Sequence, residues 1–219
     1  MFYLIPTKRG LGVEFWGSYN DLCTIYEVIS TLWDLEIQKT TAENMLSDFL
    51  FNIRHAYQGD HFTRTSSHFL SDSVPSFGFQ ISWVQLIFVI SFINSEKTKY
   101  PKNKLLEGIL LQMEYWVETA LVSFDKKVGM LMQTFIGQSI DGANPFIYYY
   151  MRRINAEFFG LKGGKKGFKD LPELVSWGIK GTKGYNLLKI EIIKSAIKIG
   201  CDPIELDLDE DQNIYSIQW

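Results

Sequence analysis

The chain is poor in the residues that most often carry chemistry. Of 219 residues, three are histidine and two are cysteine. A dispersed Ser-His-Asp arrangement therefore has few ways to be built, and a disulfide-stapled miniprotein is excluded. Cys23 follows an apolar helical pattern and Cys201 follows a glycine at a helix end. This reads as two buried thiols in a reducing cytosol, not as a bridge closing a very long loop. No C-x-x-C pair or His-Cys cluster is present to hold zinc, and H-E-x-x-H, G-x-S-x-G and G-x-G-x-x-G are missing. No metal or cofactor is expected. The formal net charge of −3 excludes a protein that coats nucleic acid by bulk charge.

A membrane-length apolar run is also lacking. The 23 residues between Asp72 and Glu96 are uncharged, but Pro75, Gly78, Gln80, Ser82, Gln85, Ser91 and Asn94 interrupt them. The continuous part, centred on Leu86 to Ile93, suits a buried helix better than a span. The N-terminal charges follow a short apolar stretch, the wrong order for a secretory signal. The expectation is a soluble, cytoplasmic protein with no membrane partner.

What is present is ordinary core material, with 46% apolar and 15% aromatic residues. Phe2–Ile5 and Val13–Trp16 read as a hairpin around Thr7–Gly10. Ser18 with Asp21 three residues later reads as an acidic relative of the capping box, opening a helix to about Asp34. A second helix follows Thr41 and ends at Gly59. His61–Phe77, rich in Ser, Thr and Asp, reads as an exposed loop, followed by a short strand over 79–83 and the buried helix. Pro101 opens an amphipathic helix with Leu106, Ile109, Leu110, Met113, Val117, Ala120, Leu121 and Phe124 on one stripe. A shorter helix covers 127–135. Asn144-Pro145 then reads as N-cap and first turn of another, closed by Gly160. Ile214–Trp219 reads as a strand pairing with the N-terminal hairpin, since a lone hairpin is marginal. The fold class is α+β, predominantly α-helical: a helical body with a small sheet, in a single globular domain over 1–219.

Charge is segregated late in the chain. Residues 152–199 hold eleven Lys and Arg against four acidic residues, whereas 200–219 hold six acidic residues and no basic one. Asp207, Asp209 and Asp211 alternate with apolar residues and would present an acidic docking surface to a basic protein partner. They do not follow the EF-hand pattern. Arg152, Arg153, Lys165, Lys166 and Lys169 are candidate phosphate or nucleic-acid contacts, the three lysines lying in a glycine-rich stretch that departs from a Walker A loop. The bland reading is a solvated connection between helices.

All three histidines fall within residues 55–68. Arg54, His55, Asp60 and His61 could supply a general acid–base pair with an orienting carboxylate and a charge-stabilising guanidinium. Arg54 and His61 are similar to the loose Arg-x(4–6)-His pattern of the HEPN ribonucleases. Gly59 would end the helix between them, whereas that family lines one helical site with the pair. Capping and loop packing are the competing reading. Gly12-Val13-Glu14-Phe15-Trp16-Gly17, Tyr19-Asn20-Asp21-Leu22, Ile53–Asp60 and Trp83 with Leu86-Ile87-Phe88 together resemble a family of uncharacterised bacterial proteins. That resemblance spans about the first half of the chain. It implies a bacterial, cytoplasmic protein and carries over no substrate, cofactor or reaction. The expected function is a non-enzymatic protein-interaction module, of which immunity or antitoxin proteins are one class. A metal-independent ribonuclease using Arg54, His55 and His61 is the alternative.

Overall fold

A computed structural model describes residues 1–32, 41–65, 75–99, 102–137, 139–206 and Trp219. Strands β1 (Tyr3–Pro6) and β2 (Gly12–Ser18) form the expected hairpin. Ser18 caps α1 (Tyr19–Ser30), accepting from the Asp21 N–H at 3.2 Å while the Asp21 carboxylate accepts from the Ser18 N–H at 3.0 Å. This reciprocal pair satisfies two of the free donors at a helix start. Helix α2 (Ala42–Gln58) packs beside α1. Helix α1 ends at Ser30 with Thr31 as its C-cap, short of the expected end at about Asp34; Trp33 and Asp34 lie outside the described residues.

The sheet corrects two expectations. Part of the predicted Ser/Thr-rich loop is strand: β3 (Phe62–Thr65) is an exposed edge, and β4 (Pro75–Ser82) starts well before Phe79. All pairings are antiparallel in the order β1-β2-β4-β3, so the hairpin gains β4 at its β2 edge; a C-terminal strand, Ile214–Trp219, was also expected to pair with the hairpin. Of that strand, all but Trp219 lies outside the described residues; Trp219 packs edge-on against Phe159. Alternation with period two sends Leu4, Val13, Phe15, Phe79 and Ile81 to the core face. There Phe15 stacks on Phe2 and Phe79, each at 5.2 Å, and Phe49 of α2 meets both Phe15 and Phe79 edge-on.

Helix α3 (Trp83–Glu96) is apolar around its circumference and buried throughout almost its whole length, the position such a helix must take in the absence of lipid. Ser82 caps it, and the Trp83 indole donates to the Gly10 carbonyl at 3.0 Å. Helix α4 (Lys104–Phe124) starts at an Asn103 cap and buries the predicted stripe, leaving Phe124 half-buried at its end. Asp125 then caps α5 (Lys126–Met132), which runs into a 3₁₀ turn over Gln133–Phe135. Asn144 accepts from the Phe146 N–H at 2.9 Å one turn before α6 (Ile147–Gly160), so the helix begins later than Asn144-Pro145 suggested. Short α7 (Lys165–Phe168) and α8 (Leu171–Ser176) precede α9 (Lys183–Ile199). Among the described residues no helix is long and apolar enough to cross a membrane.

Candidate functional site

The end of α2 brings three of the four predicted cluster residues together by purely local means. Gly59 sits in the left-handed region at φ 87°, where a side chain would strain the backbone. Its turn folds the chain back so that the Asp60 N–H donates to the His55 carbonyl at 3.0 Å. The Asp60 carboxylate then reaches His55 Nδ1 at 2.7 Å. A carboxylate on one ring nitrogen fixes the tautomer and leaves Nε2 facing outward. His61 lies with its ring 6.1 Å from that of His55. Partial burial, then the neighbouring His55, pull the His61 pKa below its ordinary 6.5 against the opposing charge of Asp60.

Arg54 does not join the pair. Its guanidinium lies 5.7 Å from the exposed Phe51 ring, which also rests 4.0 Å from His55. The neighbours of the cluster were not expected from sequence. The Arg64 guanidinium of β3 lies 4.4 Å from the Trp16 ring and 3.8 Å from Glu14, and Phe62 flanks the same indole at 6.2 Å. The alternation in Phe62-Thr63-Arg64-Thr65 was the available signal, masked by its polar composition. His68 lies outside the described residues.

The basic candidates are dispersed. Arg152 is only 7% exposed and faces Tyr148 at 5.5 Å, which removes it from any solvent-facing contact set. A guanidinium can bury its planar face against an aromatic ring, and α6 uses it so. Arg153 pairs with Glu157 at 2.8 Å. Lys165, Lys166 and Lys169 are exposed, but not on a loose loop. Gly164 N–H donates to the Arg9 carbonyl at 2.6 Å, and Phe168 is buried against Phe124 and Trp83. This pins them beside the β1–β2 turn. Phe62 pairs across β4 with Trp16, at the far end of β2, on the order of 15 Å along the strand. These lysines and the histidine pair therefore do not form one site.

A third feature is α9. Tyr185, Leu188, Ile192 and Ala196 are its buried row. Leu187, Ile190 and Ile197 form a second apolar row on the opposite side, 49%, 47% and 74% exposed, at the three- and four-residue spacing of one helix face. Lys194 interrupts that row, and Lys183, Lys189 and Lys198 lie around it. Among the described residues none of these four lysines makes an ion pair. Asp207, Asp209 and Asp211 lie outside the described residues. Among the described residues no group of three or more His, Cys, Asp or Glu could hold a metal ion. No curated protein and no solved structure matches the chain. One family does match, over residues 2–219, and on that extent the chain belongs to it: DUF6904, a domain of unknown function.

Proposed function

We propose that this chain is a protein-interaction module that docks through the outer face of α9. The observation that carries the reading is the second apolar row, Leu187, Ile190 and Ile197, opposite the row already buried. Solvated helices of a folded protein normally put charge there, and exposed apolar residues on one face, broken here only by Lys194 and bordered by charge, are a usual form of docking surface. The lysines around the row, which make no ion pair among the described residues, select the partner: a segment with apolar residues at helical spacing, bordered by carboxylates. A second copy of α9 would bring lysine against lysine, which disfavours self-association by this face. The polarity is the reverse of the basic partner expected for Asp207, Asp209 and Asp211. An immunity-type role through that acidic end remains a separate form of the same reading.

The test is capture from the native host at low salt with wild-type chain, Ile190→Asp/Ile197→Asp, and Asp207→Lys/Asp209→Lys/Asp211→Lys. A stoichiometric partner lost at least about tenfold with the α9 pair, and retained with the aspartate reversals, supports the α9 face. Loss with the aspartate reversals alone moves the contact to the acidic end. Retention with both variants sinks the reading.

A second reading is favoured by the His55–Asp60 contact and the nearby His61. In a ribonuclease, neutral His61 would take the proton of a ribose 2′-hydroxyl as its oxygen attacks phosphorus. The bond to the 5′-oxygen breaks, and protonated His55, held by Asp60, gives that oxygen its proton. The exposed Phe51 ring offers a base a stacking surface. His55→Ala and His61→Ala should each lower RNA cleavage by about 100-fold or more with the fold intact; unchanged cleavage, or none in the wild type, rejects it.

A further inference from the structure

A cleft of about 570 Å³ opens where three segments meet: the carbonyl end of α3, the loop residues Gly137 and 139–143, and the turn after α8. Its volume suits a small metabolite. The loop is held unusually close to α3, because a Cβ on Gly142 would lie 2.4 Å from the Ser91 carbonyl oxygen. Only a glycine lets the backbone approach so closely.

The charges lining this cleft do not cancel. Lys97 and Lys180 come from separate segments and line the same space. Among the described residues neither makes an ion pair. The adjacent Glu96 is taken by Lys99 at 2.5 Å. Lys97 sits at the C-cap of α3. Against these two ammonium groups stands one lining carboxylate, Asp141, with a second, Glu114, behind Asn94 and Gly137. The Tyr185 hydroxyl donates to Asp141 Oδ2 at 2.8 Å, fixing the carboxylate and leaving Oδ1 to accept from a ligand. Asn94, buried, also lines the cleft and donates through Nδ2 to Glu114 at 2.7 Å.

We infer that this cleft binds a small phosphate monoester bearing hydroxyl groups. The phosphate is held by Lys97 and Lys180, and the hydroxyls donate to Asp141 and Asn94. The apolar part of the lining is aliphatic, Ile140 and Ile179 with Ala143, so a nucleobase finds no ring to stack on. A sugar phosphate is therefore the better source of the phosphate than a nucleotide.

Isothermal titration of the full chain at low salt with glucose 6-phosphate, AMP and inorganic phosphate tests this. Saturable binding of glucose 6-phosphate at one site is expected. Lys97→Ala/Lys180→Ala should weaken it about tenfold or more, the scale of losing charge-assisted contacts. Asp141→Asn should weaken the ester several-fold and leave inorganic phosphate unchanged. Tighter binding of AMP than of glucose 6-phosphate, with the same dependence on the lysines, keeps the ligand class and assigns the nucleotide as its source. The proposal is overturned by no saturable heat with either ester, by binding of inorganic phosphate alone, or by equal ester affinity in the double-lysine variant with unchanged thermal unfolding.

Discussion

Tyr150 and Tyr185 show how far single side chains depend on their surroundings. Tyr150 is 1% exposed, and its hydroxyl donates to the Tyr185 carbonyl at 2.7 Å. Burial, with the Asp141 charge adding to it, pushes Tyr150 up to about 12 against hydrogen bonds that pull the other way. Burial and the bond to Asp141 raise Tyr185 as well. An unfolded tyrosine loses its proton near 10, so each raised group contributes stability that is complete below that pH. The contribution is lost as pH climbs from the unfolded toward the folded value. Denaturant melts at stepped alkaline pH should show stability falling above about pH 10, by roughly 2 kcal/mol through Tyr150, and Tyr150→Phe should flatten part of that fall. At Gly59, φ 87° predicts that Gly59→Ala costs about 1 kcal/mol in urea melts. The same change should loosen Asp60 from His55, seen as a change in the His55 ring chemical shifts by NMR at fixed pH. These residues were legible in part: Gly59 was read correctly as the helix end, while the closeness of His55 and His61 was not, because it depends on how the turn delivers the next residue.

At the scale of elements, α9 separates two apolar rows that composition treats alike. Ile192 is buried and Ile190 and Ile197 are exposed. Ile192→Ala should therefore cost about 2–4 kcal/mol, whereas Ile190→Asp/Ile197→Asp should stay within about 1 kcal/mol of wild type by chemical denaturation. A large loss in the surface pair would mean that the outer row is already covered within the chain. Phe168 anchors α7 against Phe124 and Trp83. Phe168→Ala should cost about 3–5 kcal/mol, and limited proteolysis should then cut near Gly163 and Gly164. Helices α1 to α6 were legible because their caps and stripes are local. Strand β3 and the first half of β4 were not, since Ser- and Thr-rich segments become strand here only by pairing. Phe62–Thr65 pairs with β4, and β4 in turn lies along β2.

Across the whole molecule, a net charge of −3 hides a basic stretch and an acidic end. A complex formed through the lysines of α9 should weaken as salt rises, because contacts between exposed charges are screened beyond about 10 Å at 0.1 M ionic strength. Surface-plasmon measurements across a salt series should show slower association with a smaller change in dissociation; a salt-independent association rate argues against the charged border. The resemblance to an uncharacterised family was drawn from the first half of the sequence, whereas the family match extends across residues 2–219.

The sequence by itself determined the cap at Ser18, the stripe of α4, the apolar α3 and the turn at Gly59. Each depends on contacts within a few residues, where spacing and side-chain type suffice. Only the tertiary structure decided that β4 lies beside β2 and that Arg152 turns inward over Tyr148. It also decided that Lys97 and Lys180 share a cleft and which row of α9 is buried. These outcomes join segments distant in the chain. Burial there is a competition between apolar surfaces that only the docked partner resolves.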